Sequence, residues 1–265
     1  MKPKKNILLI GYGNLGSNLS VAWKDKFDLT VLEKDPKKIV ILKKKKIAVF
    51  SLRKIKDFDF MVLCVKPKNL KEIGKILSNN IVRNKTIISF MAGIEIKKIK
   101  NLVDPSNLIC RVMPNLFSGL GMGVNAIFLE QASKVKQKGI HNLIMSLGKI
   151  VWLKKESDLD FFTAFYGGAP AYFFLFLDIM QKIILSRKFY SEDSRSYIIQ
   201  TLEGTLKFLK HNENNFEQYI SLVASKGGTT EEALKILNKD KALFKLLDHA
   251  MRKASKKSEI LRKKN

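Results

Sequence analysis

The chain has 265 residues, 46% of them hydrophobic, which is enough for one large domain or two ordinary ones and excludes wholesale disorder. Its 49 Lys and Arg against 24 Asp and Glu leave a net charge of +25. These lysines are scattered along the whole chain with no interleaved aromatic platform, so no specific nucleic-acid partner is expected.

The N-terminus, MKPKKNILLIGYG, is basic but offers too few apolar residues before glycine for a signal peptide. Cys64 and Cys110, the two cysteines, both lie in apolar runs, which supports neither a disulfide framework nor a metal cluster. Both observations point to a reducing, cytoplasmic setting. The run NILLIG (6–11) ends in glycine, as a buried parallel strand does. Residues 14–26 carry Leu15, Leu19 and Ala22 at helical spacing, and 28–33 form the next strand. Asp35 as cap and Pro36 in the first turn open a helix. Strands at 47–50, 58–65, 85–90 and 107–113 then alternate with helices at 69–77 and 95–102. A strand at 125–130, a helix at 131–146 and a strand at 149–154 follow. This alternation predicts a Rossmann-type, doubly wound parallel sheet.

From Glu156 onward only helical spacing remains, over 157–165, 170–186, 191–210, 214–221, 229–237 and 240–262. The expected domains are therefore α/β over 1–155 and all-helical over 156–265. One stretch, FFTAFYGGAPAYFFLFL, is uncharged for 17 residues, at the lower edge of a membrane span. Its central GGAP is expected to break it, with Pro170 in the first turn of a new helix, leaving a segment too short to cross a bilayer. A helix apolar all round then belongs to a helical core or a subunit interface, and no membrane partner is expected.

GYGNLG places Gly11, Gly13 and Gly16 in GxGxxG spacing directly between strand and helix, with Tyr12, Asn14 and Leu15 between them. The first glycine allows the tight turn, the second a close pyrophosphate, the third close packing of helix on strand. Glu33 closes the second strand, where an acidic residue takes ribose hydroxyls and favours NADH; Lys34, Lys37 and Lys38 stand ready for the extra phosphate of NADPH, so the choice stays open. Three further loops end predicted strands: CVKPKN with Val65, Lys66 and Pro67; SFMAGI with Ala92 and Gly93; and RVMPNLFSGLGMG with Met113 and Asn115. A second anion site is expected at SKGGTT, where Gly227, Gly228, Thr229 and Thr230 open a helix. Thr230 reads equally well as a helix cap. The three histidines, His141, His211 and His249, lie in polar helical stretches and read as surface residues without metal spacing.

Taken in order, these motifs resemble the pyrroline-5-carboxylate reductases. IGYGNLG is similar to the family's IGxGNMG/A, VKPK to VKPQ, SFMAGI to SxxAGI, RVMPN to RxMPNTP, YGGAPAYFF to SGSGPAYVF, QTLEGT to QTxxGAA and SKGGTT to SPGGTT. The resemblance implies a dinucleotide-binding domain and a helical domain through which subunits dimerise, sometimes into larger rings. It implies reduction of 1-pyrroline-5-carboxylate, a cyclic imino acid, to L-proline with NADPH or NADH. It places that substrate at the dimer interface, its carboxylate on the amides of Gly227–Thr230 and its ring nitrogen at the Thr230 hydroxyl. The chain departs from the pattern at Leu116 and Phe117, at Gly168 and Ala169, at Lys68 and at Lys226, which replaces a proline. Those departures leave two alternatives: a reductase of the same fold for another small imino or hydroxy acid, and a non-catalytic dinucleotide-binding protein.

Overall fold

The computed structural model describes residues 4–50, 57–80, 82–187, 192–211, 213 and 215–264. Residues 191 and 214, where two helices are expected to start, lie outside them. Among the described residues eight strands form one sheet: β1 Asn6–Ile10, β2 Asp28–Leu32, β3 Ala48–Val49, β4 Phe60–Leu63, β5 Thr86–Ser89, β6 Leu108–Met113, β7 Gly123–Leu129 and β8 Gly148–Trp152. Their order is β3-β2-β1-β4-β5-β6-β7-β8. The helices α1 Asn14–Trp23, α2 Pro36–Lys44, α3 Leu70–Asn79, α4 Ile96–Lys100 and α5 Lys134–Met145 connect them.

The alternation of β1 explains the two-sided winding. Ile7 and Leu9 pack with Leu19 and Trp23 of α1, Leu42 of α2 and Ile140 of α5. Leu8 and Ile10 point the other way, against Ile73 and Leu77 of α3 and Ile96 and Ile99 of α4. Because successive side chains of a strand alternate faces, Ile7–Ile10 needs apolar residues at every position once helices cover both sides. The α2 start is as read: the Asp35 side chain accepts from the Lys37 amide, with Pro36 in the first turn.

Two strands, β7 and β8, depart from the all-parallel expectation and run against the other six. β7 pairs with β6 antiparallel, Cys110 opposite Leu129, whereas β7 and β8 are parallel. Only a short 3-10 helix, Leu116–Leu120, separates β6 from β7, too little chain for the crossover that a parallel pair needs. α5 supplies that crossover between β7 and β8.

Beyond β8 the described residues are helical. α6 Asp158–Phe162 runs through a π-turn, Thr163–Gly167, into α7 Ala169–Ser186. GGAP therefore bends the backbone pattern without stopping it: the Gly168 amide reaches back to the Thr163 carbonyl at 3.0 Å, an i to i+5 bond. That widened turn takes up the clash and missing N–H that Pro170 would otherwise impose. The resulting run, Asp158–Ser186, has 29 residues and contains an 18-residue window with a mean hydropathy of 1.4, long and apolar enough by length and composition to cross a membrane. α8 Ser194–His211, α9 Phe216–Val223, α10 Thr229–Asn238 and α11 Ala242–Lys264 complete the chain.

By compactness the chain divides into Met1–Gly168 with Lys253–Asn265, and Ala169–Arg252. The first unit contains the sheet and its two cores. The second keeps much apolar surface in the open: α7 buries only Pro170, and Phe173 and Phe176 are 63% and 57% exposed. An apolar face this continuous marks an interaction surface.

Candidate active site

Parallel register puts the ends of four strands on one edge: Leu32 lies beside Ile10, Ile10 beside Leu63, and Leu63 beside Ser89. The loops that leave this edge carry Gly11–Gly16, Glu33, Val65–Pro67 and Ala92–Gly93, and β6 delivers Met113 and Asn115 beyond the same edge.

Gly11 turns the chain with φ +98°, and a Cβ there would lie 2.8 Å from the Cys64 carbonyl oxygen. Gly13 precedes α1, which has no side-chain cap, and the space around it is open for 4 Å. An uncapped helix start behind open space fits a pyrophosphate, whose charge the first-turn amides would hold. A cavity of about 390 Å³ opens here, lined by Gly11, Tyr12, Gly13, Glu33, Val65 and Lys66. Asn69, Glu72, Ile73 and Ile76 of the α3 side also line it and were not among the expected site residues. Their i, i+3, i+4, i+7 spacing after the VKP loop is the signal that marks them as one helix face. Asn14, Leu15 and Gly16 form the first turn of α1, and Pro67 the first turn of the helix that follows β4. Ala92 is exposed beside Gly93, which adopts φ +70°. Asn115 is buried, and its side-chain oxygen accepts from the Phe117 amide at 3.2 Å. The Cys64 and Cys110 thiols are pushed up by burial, so neither is a nucleophile near neutral pH.

Glu33 is held by several partners of the chain itself. Its Oε2 accepts from the Tyr12 amide at 2.8 Å, and its Oε1 from the Lys34 and Asp35 amides at 2.9 and 3.1 Å. Lys38 Nζ stands 3.6 Å from the same carboxylate. Burial works to raise this carboxyl group; the Asp35, Tyr12 and Lys34 amides and Lys38 outweigh it and hold it below its usual range. The side chain thus ties the β1 loop to the β2 loop. Glu33→Gln should lower stability by about 1–3 kcal/mol at neutral pH, since an amide oxygen cannot satisfy three backbone donors. A folded-state pKa below the unfolded one adds stability above the unfolded value and loses it as pH falls. The difference in unfolding temperature between the two proteins should therefore shrink as the solution is acidified.

In the second unit SKGGTT forms the start of α10. Gly227 takes φ +74°, and Gly228 is the helix N-cap without a side-chain bond. The Gly227 amide donates to Glu231 Oε2 at 2.8 Å, and Gly228 to the Ser225 carbonyl at 3.0 Å. A carboxylate of this chain therefore already occupies one amide of the expected anion site. Lys235 holds Glu232 at 2.6 Å and stands 3.7 Å from Glu231. Thr229 is exposed, and Thr230 lines an apolar cavity of about 690 Å³ with Thr205, Phe208, Tyr219, Ile220 and Val223. His211 and His249 are exposed, while His141 stacks on Trp152 with ring centroids 6.5 Å apart. Among the described residues no three His, Cys, Asp or Glu side chains converge as a metal site.

Residues 156–261 match the pyrroline-5-carboxylate reductase dimerisation family, and residues 6–93 match a family described as NADP oxidoreductase, coenzyme F420-dependent. The pyrroline-5-carboxylate reductase of Vibrio alginolyticus is 32% identical over 209 residues, 78% of this chain and 76% of that protein. The chain belongs to the pyrroline-5-carboxylate reductase family. The Aquifex aeolicus pyrroline-5-carboxylate reductase is 30% identical over 235 residues, 86% of this chain and 87% of its own. Among solved structures, the Coxiella burnetii pyrroline-5-carboxylate reductase superposes with a TM-score of 0.85 at 26% identity, covering 97% of this chain and 98% of its own. A Plasmodium falciparum pyrroline carboxylate reductase with NADP bound gives 0.82 at 25% identity and 99% coverage of both chains. In this family member the dimerisation match takes in α6 to α10 and nearly all of α11, which supports homo-oligomerisation.

Proposed function

We propose that this protein catalyses the reduction of 1-pyrroline-5-carboxylate to L-proline with NADPH or NADH, the last step of proline biosynthesis. The observation that carries the reading is that glycine-rich SKGGTT starts α10 with no side-chain cap on Gly228, as glycine-rich GYGNLG starts α1 with none on Gly13. Residues 1–155 would bind the dinucleotide; residues 156–265 would bind the substrate and pair with a second copy. The protein would work in the cytoplasm as a homodimer or a larger ring, without nucleic acid or membrane.

The amides of Gly11–Gly16 would hold the pyrophosphate, with Val65, Lys66 and Pro67 along its flank and Ala92, Gly93, Met113 and Asn115 bordering the reacting ring. Glu33 favours the free ribose of NADH, and Lys38 at the same wall favours the phosphate of NADPH. The bound dinucleotide supplies a hydride. A protonated C=N bond is already a good electrophile, so the protein needs no strong acid. It has to align the imine carbon and exclude water. The Thr230 hydroxyl would hydrogen-bond the ring nitrogen, fixing its face and relaying a proton. The amides of Gly227 and Thr229 would hold the carboxylate, with Gly228, whose amide donates to the Ser225 carbonyl, shaping the turn between them. Purified protein should oxidise both reduced cofactors, at different rates, when given pyrroline-5-carboxylate. No turnover with either one would sink the proposal.

Glu231 has to release the Gly227 amide before a substrate carboxylate can take it. Glu231→Gln weakens this internal competitor and removes a like charge from the anion site. KM for the imino acid is expected to fall by about 3- to 10-fold, the scale of one screened charge contact. The KM effect should diminish at high salt. An unchanged or higher KM would show that Glu231 acts only as a helix cap.

A further inference from the structure

The last turn of the chain carries a set of buried charges that no cofactor or substrate motif includes. Arg262 Nη1 donates to Glu95 Oε1 at 2.7 Å, and its Nε to Asp160 Oδ2 at 2.8 Å. The Ser258 hydroxyl donates to the other oxygen of Asp160 at 2.8 Å, and Lys98 Nζ to the Arg262 carbonyl at 3.3 Å. Beside this lies a second pair: Arg111 Nη1 and the Ile96 amide both donate to Glu156 Oε1 at 2.8 Å. The Arg262, Asp160 and Arg111 side chains are only 17%, 10% and 6% exposed. All of these residues belong to the first compact unit, and Arg262 lies just beyond the residues matched to the dimerisation family.

Their position gives them a role. Glu95 follows the turn Phe90–Ile94, which leaves β5 at the ligand edge and contains Ala92 and Gly93. It precedes α4, a helix of 5 residues with no side-chain cap of its own. A helix that short is not self-sustaining and takes its order from partners. Here those partners are Glu156 on the Ile96 amide and Arg262 on Glu95. Ile94 and Ile96 are buried on either side, so the carboxylate of Glu95 is left pointing to the rim where Arg262 meets it. Arg111 stands in β6 two residues before Met113, so the same network also braces that strand. Without Arg262, the carboxylates of Glu95 and Asp160 would lose the cation they share, and the tie between the start of α4 and α6 would go with it.

We propose that Arg262 is a positioning residue for the dinucleotide: the last turn of α11 sets the Ala92–Gly93 turn through Glu95. The proposal rests on the dinucleotide-binding reading of this edge. Its test uses the full-length chain with NADPH and NADH, each titrated by the quenching of protein fluorescence, beside thermal unfolding. Arg262→Ala should weaken binding of the preferred dinucleotide by about tenfold, the loss of one preorganising contact of about 1.4 kcal/mol. Arg262→Lys, which keeps the charge but not the two-pronged geometry, should recover part of that loss. Glu95→Gln, a milder change, should weaken binding in the same direction and serves if Arg262→Ala fails to fold. Folded variants that bind as the unaltered protein does, whatever their melting temperature, would overturn the proposal. If the unaltered chain binds neither dinucleotide, the reading of the edge itself falls instead.

Discussion

Replacing Gly16 with alanine is expected to weaken dinucleotide binding by about a hundredfold or more. A Cβ at Gly16 would lie 2.2 Å from the carbonyl oxygen of Gly11, a backbone atom that no rotamer change can move. Gly11 sits just as tightly, since a Cβ there would lie 2.8 Å from the Cys64 carbonyl oxygen and from Val65 Cγ1. The strain therefore has to part α1 from β1, and the anion cradle with it. Overpacking of this kind costs about 3 kcal/mol or more, which is about a hundredfold in affinity if the bound state carries it. Gly13→Ala is the control, because Gly13 has φ −81° and open space around it. That variant should fold normally and lose affinity only by obstructing the ligand. Titration of NADH and NADPH together with thermal unfolding separates the two. Gly16→Ala should lose both stability and binding, and a variant that binds normally would remove GYGNLG from the site.

The second large effect is expected at Thr230. Gly228, not Thr230, is the N-cap of α10, so the helix-cap reading that the sequence leaves open does not hold. Thr230 sits inside the first turn with its side chain at the wall of a cavity. Alanine is a better helix former than threonine at such a position, and Thr230→Ala should leave the unfolding temperature unchanged or slightly raised. Its rate should nonetheless fall by about 10- to 1000-fold, the range for loss of one positioned proton donor or acceptor. Thr230→Ser keeps the hydroxyl and should retain most of the rate. Steady-state kinetics of the two variants decides the matter. Equal rates for alanine and serine would exclude a role for the hydroxyl.

Much of this protein is legible without coordinates. NILLI announces a strand covered on both faces, Asp35-Pro36 a helix start, and GYGNLG a close approach of backbone to ligand. These are local properties, written in residues that touch their own neighbours in the chain. The exposed character of α7 was half legible: its composition says apolar all round, while the absence of a covering core in its own unit appears only in the fold.

Other features were decided by tertiary structure alone. A buried strand reads the same in either direction, so the antiparallel entry of β7 follows from the short connection after β6 and not from its residues. GGAP carries two helix-breaking residue types, yet the π-turn at Thr163–Gly167 absorbs them and the helical run continues. Glu33 looks like a ribose ligand from its place at the end of β2; three amides converge on it only once two loops meet. Glu231 on the Gly227 amide was hidden as well, because a glutamate in a first turn has several donors within reach. Arg262 lies 102 residues from Asp160 and 167 from Glu95, and no periodicity connects charges so far apart. Sequence alone determined the elements and the two glycine-rich helix starts, because short-range sterics and hydrogen bonding fix them. The partners of the charged groups were settled by the fold, because burial makes each such group take whichever neighbour packing brings.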